Sequence, residues 1–168
     1  MEHLWTPWRS TYIKAEKKQG GCIFCDVAAR DEKNNNDEKN LVVCRGAHAF
    51  IMLNRYPYTS GHLMIAPYAH VRRLNDASLA VVDEVMAFTR QSEIVLEEAY
   101  RPDGINLGMN LGRAAGAGIA EHIHMHVLPR WAGDANFMTS VANTRIIPES
   151  LEETYSKIKQ GFDNLSER

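Results

Sequence analysis

Three of the seven histidines, His122, His124 and His126, stand at two-residue spacing in the run Glu121-His122-Ile123-His124-Met125-His126-Val127-Leu128-Pro129-Arg130-Trp131. Near neutral pH an imidazole serves as metal ligand, general base or nucleophile, and the spacing alone does not choose among these. A purely structural role suits three neighbouring rings poorly, because each would need its own hydrogen-bond partner once buried. A second set of reactive side chains lies in Cys22-Ile23-Phe24-Cys25. Two cysteines separated by two residues make half of a common zinc site, which two histidines would complete. Residues 111–120, with Gly112, Gly116 and Gly118, form a third feature. Glycines reach backbone conformations that gather N–H groups into a concavity, which is how anion sites are built, so this loop points to phosphate.

A strand must carry the histidines. Side chains on a strand alternate faces, so His122, His124 and His126 point to one side while Ile123, Met125 and Val127 point to a core on the other. A helix would scatter the rings around its axis, and Pro129 would end it. Upstream, residues 41–44, 49–53 and 62–67 read as strands. The short link 45–48 suits a hairpin, and a Pro- and Gly-punctuated loop spans 54–61. Residues 75–100 lack Gly and Pro and carry Leu79, Val82, Val85, Met86, Ile94 and Leu96 between charges, which predicts the main helix, with Asn75, Asp76 or Ser78 as N-cap. Residues 105–110 form a further strand, and 149–162 a second, shorter helix. Strands in sequence with one long helix inserted and no βαβ alternation predict an α+β fold on an antiparallel sheet of about five strands.

A chain of 168 residues suits one domain, here 1–168, with 1–20 as an N-terminal packing segment and 137–168 as a C-terminal extension bearing the short helix. Leu4, Trp5, Trp8, Tyr12 and Ile13 are the side chains expected to pack. Residues 30–40, with Asn34, Asn35 and Asn36 among charges, read as an exposed loop. A net charge of -2 argues against a general nucleic-acid or membrane binder, so any anion site is local. No run reaches the roughly 20 apolar residues of a membrane span, and the N-terminus lacks the apolar run of a signal peptide. With three cysteines, an odd count, two of them closely spaced, a metal or redox site fits better than a disulfide framework, and a cytoplasmic protein is expected. Cys44, Met52, Met64 and Met109 read as core.

The segment His122-Ile123-His124-Met125-His126-Val127-Leu128 resembles the signature of the histidine triad family of nucleotide hydrolases and transferases, in which histidines alternate with apolar residues. The resemblance runs through Phe50-Ile51-Met52-Leu53-Asn54, Gly61-His62-Leu63-Met64-Ile65-Ala66-Pro67, His70, Asn106-Leu107-Gly108-Met109-Asn110 and Pro129-Arg130-Trp131-Ala132-Gly133-Asp134, and so covers roughly residues 21–136. Trp5-Thr6-Pro7-Trp8-Arg9, Ala115-Gly116-Ala117-Gly118-Ile119-Ala120 and Asp134-Ala135-Asn136-Phe137-Met138 are similar to the bacterial and archaeal branch that contains diadenosine tetraphosphate phosphorylases.

The resemblance implies attack of His124 on the α-phosphorus of a dinucleoside polyphosphate, a nucleotidyl-histidine intermediate, and transfer to an acceptor. It implies His126 and His62 as supporting catalytic groups and Asn54 as ribose ligand. It places Asn110 and the backbone of Gly112, Gly116 and Gly118 on the phosphates, and Phe50, Ile51 and Leu53 as apolar walls for the base. For His124 to attack through Nε2, Nδ1 must give its proton to a fixed acceptor, most simply a carbonyl of the 112–118 loop. Family members commonly carry Gln and then Ser or Thr where this chain has Gly118 and Ile119. Losing those side chains leaves backbone groups to bind the anion and room for inorganic phosphate, which favours phosphorolysis over hydrolysis or phosphoramidase activity. A non-catalytic nucleotide-binding module is the competing reading of another class, and a metal centre built on all three histidines leaves Asn54, His62 and the Gly-rich loop unexplained. Relatives also imply a structural zinc held by Cys22, Cys25, His70 and His122, and a homodimer joined through its sheets with the long helix at the interface.

Overall fold

The computed structural model describes residues 21–29, 36–134 and 148–167. The N-terminal packing segment and residues 135–138 of the tail lie outside them. Five strands form one antiparallel sheet in the order β1-β2-β3-β5-β4: β1 Val42–Arg45, β2 Ala49–Leu53, β3 Leu63–Pro67, β4 Gly104–Gly108 and β5 Met125–Arg130. The helices are α1 Ile23–Ala28, α2 Asp37–Asn40, α3 Leu79–Tyr100 and α4 Leu151–Ser166. The α+β architecture is the one expected from the pattern of apolar runs.

Alternation along the strands divides the interior in two. Ile51, Leu53, Leu63, Ile65 and Val127 face one side, where Val81, Val85, Phe88, Val95 and Leu96 of α3 cover them together with Ile158 and Phe162 of α4. The apolar spacing along α3 is that of one helix face, which is why it lies flat on the sheet. Ser78, one of the three expected N-caps, starts α3, its hydroxyl accepting from the Val81 N–H, so the helix begins at Leu79 and not at 75; Leu74–Asp76 form a separate 3-10 turn. A capping box between Ser150 and Glu153 starts α4. On the other face Phe24 and Val27 of α1 meet Val42, Phe50, Met52, Met64 and Ala66.

This division corrects the expectation for the base pocket. Ile51 and Leu53 are 0% and 1% exposed beneath α3, while Phe50 points to the opposite face. Neighbours on a strand cannot line one wall. Two boundaries also differ. Residues 37–40, expected in a loop, form α2, held by Arg45, whose guanidinium donates to Asp37 Oδ1 at 2.7 Å and to the Val27 carbonyl at 3.0 Å. The histidine strand, β5, pairs regularly only from Met125, so His122 and His124 lie just ahead of it. Gly61 enters β3 with φ 77°, and a Cβ there would stand 3.0 Å from Leu96 and from Tyr100. Only glycine meets both demands.

Candidate active site and metal cluster

Four histidines collect where β3 and β5 pair. Met64 of β3 lies opposite His126 of β5, and His62, just ahead of β3, brings its Nε2 to 2.9 Å from His126 Nδ1. The rings of His124 and His126 meet edge to face with centroids 4.7 Å apart. His62, His122 and His124 are 1%, 0% and 6% exposed.

Main-chain partners decide which nitrogen of each ring carries the proton. His124 Nδ1 lies 3.0 Å from the carbonyl oxygen of His122, which can only accept, so Nδ1 holds the proton and Nε2 keeps its lone pair. The acceptor is the neighbouring histidine's own carbonyl and not one from the 112–118 loop. The chain bends at His122 instead of running as regular strand, and that turns this carbonyl back toward the ring. His62 Nδ1 receives the Tyr58 backbone N–H at 3.2 Å and lies 3.3 Å from Asn54 Nδ2. The Asn54 amide is oriented by its Oδ1, which accepts from the Tyr56 N–H at 3.0 Å. With Nδ1 accepting, His62 Nε2 is the donor and His126 Nδ1 the acceptor. A neutral His126 therefore bears its proton on Nε2. The site presents one bare nitrogen and, on the adjacent ring, one N–H.

Burial favours the neutral form of His124 and of His126. It lowers the His124 pKa against the opposing effect of the His122 carbonyl. It lowers His126 to about 4, with the neighbouring His124 adding to the effect. A neutral imidazole at pH 7 is a competent nucleophile, and its adduct is a good leaving group.

His122 turns away to a second cluster. Its Nε2–H donates to the Pro67 carbonyl at 2.9 Å, leaving the Nδ1 lone pair directed at Cys22 Sγ, 3.2 Å away, and Cys25 Sγ, 3.6 Å away. His70 Nδ1 lies 3.1 Å from Cys25 Sγ. The donor atoms of all four residues fall within 4.8 Å of one another. In a tetrahedral zinc site, with bonds of about 2.3 Å to sulfur and about 2.0–2.1 Å to nitrogen, neighbouring donors stand roughly 3.3–3.8 Å apart. Two thiols, two imidazoles and a carbonyl fixing one ring are the donor set and outer contact such a metal takes. Burial and the adjacent Cys22 raise the Cys25 pKa, and a bound cation would reverse that pressure by favouring thiolate.

Of the remaining expected ligands, Asn110 and Gly118 are exposed. Gly112 and Gly116 take φ 88° and 90°, and Asn110 Nδ2 lies 3.9 Å from where a Cβ on Gly116 would be. Asn54 is half-buried and bound to His62. Phe50 is fully buried, stacked on Tyr68 with centroids 5.5 Å apart. Two aromatic residues were not singled out from the sequence. Phe24 packs on His122 and His124, and Tyr58 lies 4.9 Å from His62. Phe24 could have been noticed from its place inside the cysteine pair.

Fold and site together define a histidine triad protein. The HIT domain pattern matches residues 35–133, and the chain belongs to that family. Over 157 residues it is 41% identical to a Mycobacterium tuberculosis protein named AP-4-A phosphorylase, covering 92% of this chain and 80% of that one. An uncharacterised HIT-like protein from Saccharolobus solfataricus is 26% identical over 141 residues, or 84% of this chain and 94% of the relative. The crystal structure of a zinc-bound histidine triad family protein from Mycobacterium smegmatis shares the fold, with a TM-score of 0.68 at 24% identity over 88% of this chain and 96% of that chain.

Proposed function

We propose that the protein is a nucleotidyltransferase that splits diadenosine tetraphosphate by phosphorolysis. The observation that carries this reading is His124: its Nδ1 proton is tied to a carbonyl, its Nε2 is bare, and the N–H of His126 lies beside it. His124 Nε2 attacks the α-phosphorus and the bond to the bridging oxygen breaks. ATP leaves as the His126 Nε2–H hydrogen-bonds that oxygen and offsets the charge building on it, and His62 holds His126 in the donating tautomer. An oxygen of inorganic phosphate then attacks the adenylyl-histidine, giving ADP and returning the ring. The positive-φ glycines, Asn110 and the exposed backbone of the 112–118 loop bind the phosphate chain, and Asn54 meets the ribose. The similarity to the M. tuberculosis protein supports the substrate, and Gly118-Ile119, without polar side chains, supports phosphate as acceptor. Incubating diadenosine tetraphosphate with and without phosphate tests this: ADP plus ATP, dependent on phosphate, is expected, whereas AMP plus ATP would identify a hydrolase. His124→Ala should abolish turnover while retaining nucleotide binding.

Cys22, Cys25, His70 and His122 hold a structural zinc, closed by four protein ligands and tying the cysteine segment to the entry of β5. Metal analysis should find stoichiometric zinc that is lost in Cys22→Ala. Two copies associate through β4, a sheet edge whose residues are largely exposed, with α3 alongside. A monomer by light scattering at micromolar concentration would refute that. Among the described residues all cysteines are free and no helix is long and apolar enough to cross a membrane, in keeping with a reducing, cytoplasmic setting.

A further inference from the structure

Phe24 joins the metal cluster to the nucleophile. It sits between Cys22 and Cys25 on α1, is 0% exposed, and places its ring 5.1 Å from that of His122 and 4.8 Å from that of His124. The second link between the two sites is the His122 carbonyl, which holds His124 Nδ1–H while the His122 ring faces the cysteines. One hydrogen bond holds an imidazole weakly in orientation, because rotation about its Cβ–Cγ bond is broad. Attack on phosphorus needs Nε2 aligned with the scissile bond. Among the described residues, the rings in contact with His124 are those of Phe24 and His126. Helix α1 is six residues long and too short to fix its own place, so its position depends on the cysteine contacts and on the apolar cluster below it.

We infer that Phe24 is a positioning residue for His124, and that the metal cluster, by anchoring α1, holds the Phe24 ring where it confines the nucleophile's imidazole. Zinc at the four-ligand site thereby acts on the reaction without touching substrate. The inference rests on the reading of His124 as nucleophile, and the readouts separate the two.

The test uses the zinc-loaded protein and Phe24→Leu, which keeps apolar volume but removes the flat ring, with Phe24→Tyr as the ring-retaining control. Nitrogen-15 signals of His124 report its tautomer independently of turnover. In the native protein they should show one tautomer. In Phe24→Leu they should move toward the averaged position, kcat should fall about tenfold with KM within about twofold, and zinc content should stay stoichiometric. Stripping zinc from the native protein should give the same nitrogen-15 change, and stripping it from Phe24→Leu should add little, since both act through one contact. Phe24→Tyr should resemble the native protein. Unchanged His124 signals and kcat in Phe24→Leu, with only a lower melting temperature, would reduce Phe24 to core and overturn the inference. Changed signals with unchanged kcat would support the positioning and refute His124 as nucleophile.

Discussion

His126 should make the protein acid-sensitive in a defined window. Burial, with His124 close by, lowers its pKa to about 4 in the folded state, against about 6.5 for an unfolded histidine. Above pH 6.5 the ring is neutral in both states and contributes no pH dependence. Between 6.5 and 4 the unfolded chain binds more protons, so stability falls as pH falls. Below 4 both states are protonated and the loss stops. At about 1.4 kcal/mol per pK unit, the gap corresponds to roughly 3 kcal/mol, or about 2 after discounting for partial solvent access. His124 and His122, also lowered by burial, push the same way, so the measurement must isolate one ring. His126→Asn does this, placing an amide oxygen near the position of Nδ1, where it still accepts from His62 without titrating. Urea unfolding of both proteins at pH 7.0, 6.0, 5.0 and 4.5, in metal-free buffer so that zinc release does not enter, yields the difference in unfolding free energy at each pH. That difference should shift by about 2 kcal/mol against the native protein as pH falls. A flat difference would mean that His126 is protonated in the folded state near pH 6, and the neutral-tautomer argument would fail with it.

His62→Ala removes the donor that fixes the His126 tautomer, and kcat should drop about a hundredfold; a p-nitrophenyl ester of AMP, whose leaving group spreads its charge over the ring and depends less on a hydrogen bond, should recover most of that loss. Glu84 on α3 accepts the N–H groups of Ala47, His48 and Ala49 at 2.9, 2.6 and 2.6 Å and so closes the β1–β2 turn. Glu84→Ala should therefore cost about 2–3 kcal/mol by urea unfolding with turnover of the folded fraction unchanged. Gly161→Ala should destabilise by about 1–3 kcal/mol despite better helix propensity. Its Cβ would lie 2.6 Å from Val95 Cγ1 where α4 crosses α3. Combining it with Val95→Ala should recover part of the loss, and additive losses would show that the two residues do not meet.

The sheet and the long helix were legible because their apolar periods are unmixed. Ala49–Leu53 and Leu63–Pro67 are bounded by Pro- and Gly-containing turns, and Leu79–Tyr100 has neither residue inside it. Helix α2 was hidden because tertiary contacts override its composition. Asp37 follows three asparagines in a charged run, and what orders it is Arg45, eight residues away on β1. The face of each β2 residue is legible from alternation, whereas the family resemblance sets Phe50, Ile51 and Leu53 together as walls for the base. Strand geometry separates Phe50 from the other two.

For the site, residue types were legible and proton positions were not. The spacing of His122, His124 and His126 brings rings together, but what makes the rings differ is main chain: the His122 carbonyl on His124, the Pro67 carbonyl on His122, and the Tyr58 N–H on His62. Every residue except proline carries both groups, so no side-chain pattern announces which will be used. Substituting Tyr58 would leave its N–H in place, and substituting Pro67 would leave its carbonyl. These assignments are therefore tested by removing the histidine that receives or donates the bond, as in His62→Ala and His126→Asn, and by nitrogen-15 shifts of the rings that remain. Mutating the residues that supply the backbone groups would report on packing and miss the protons on which the chemistry depends.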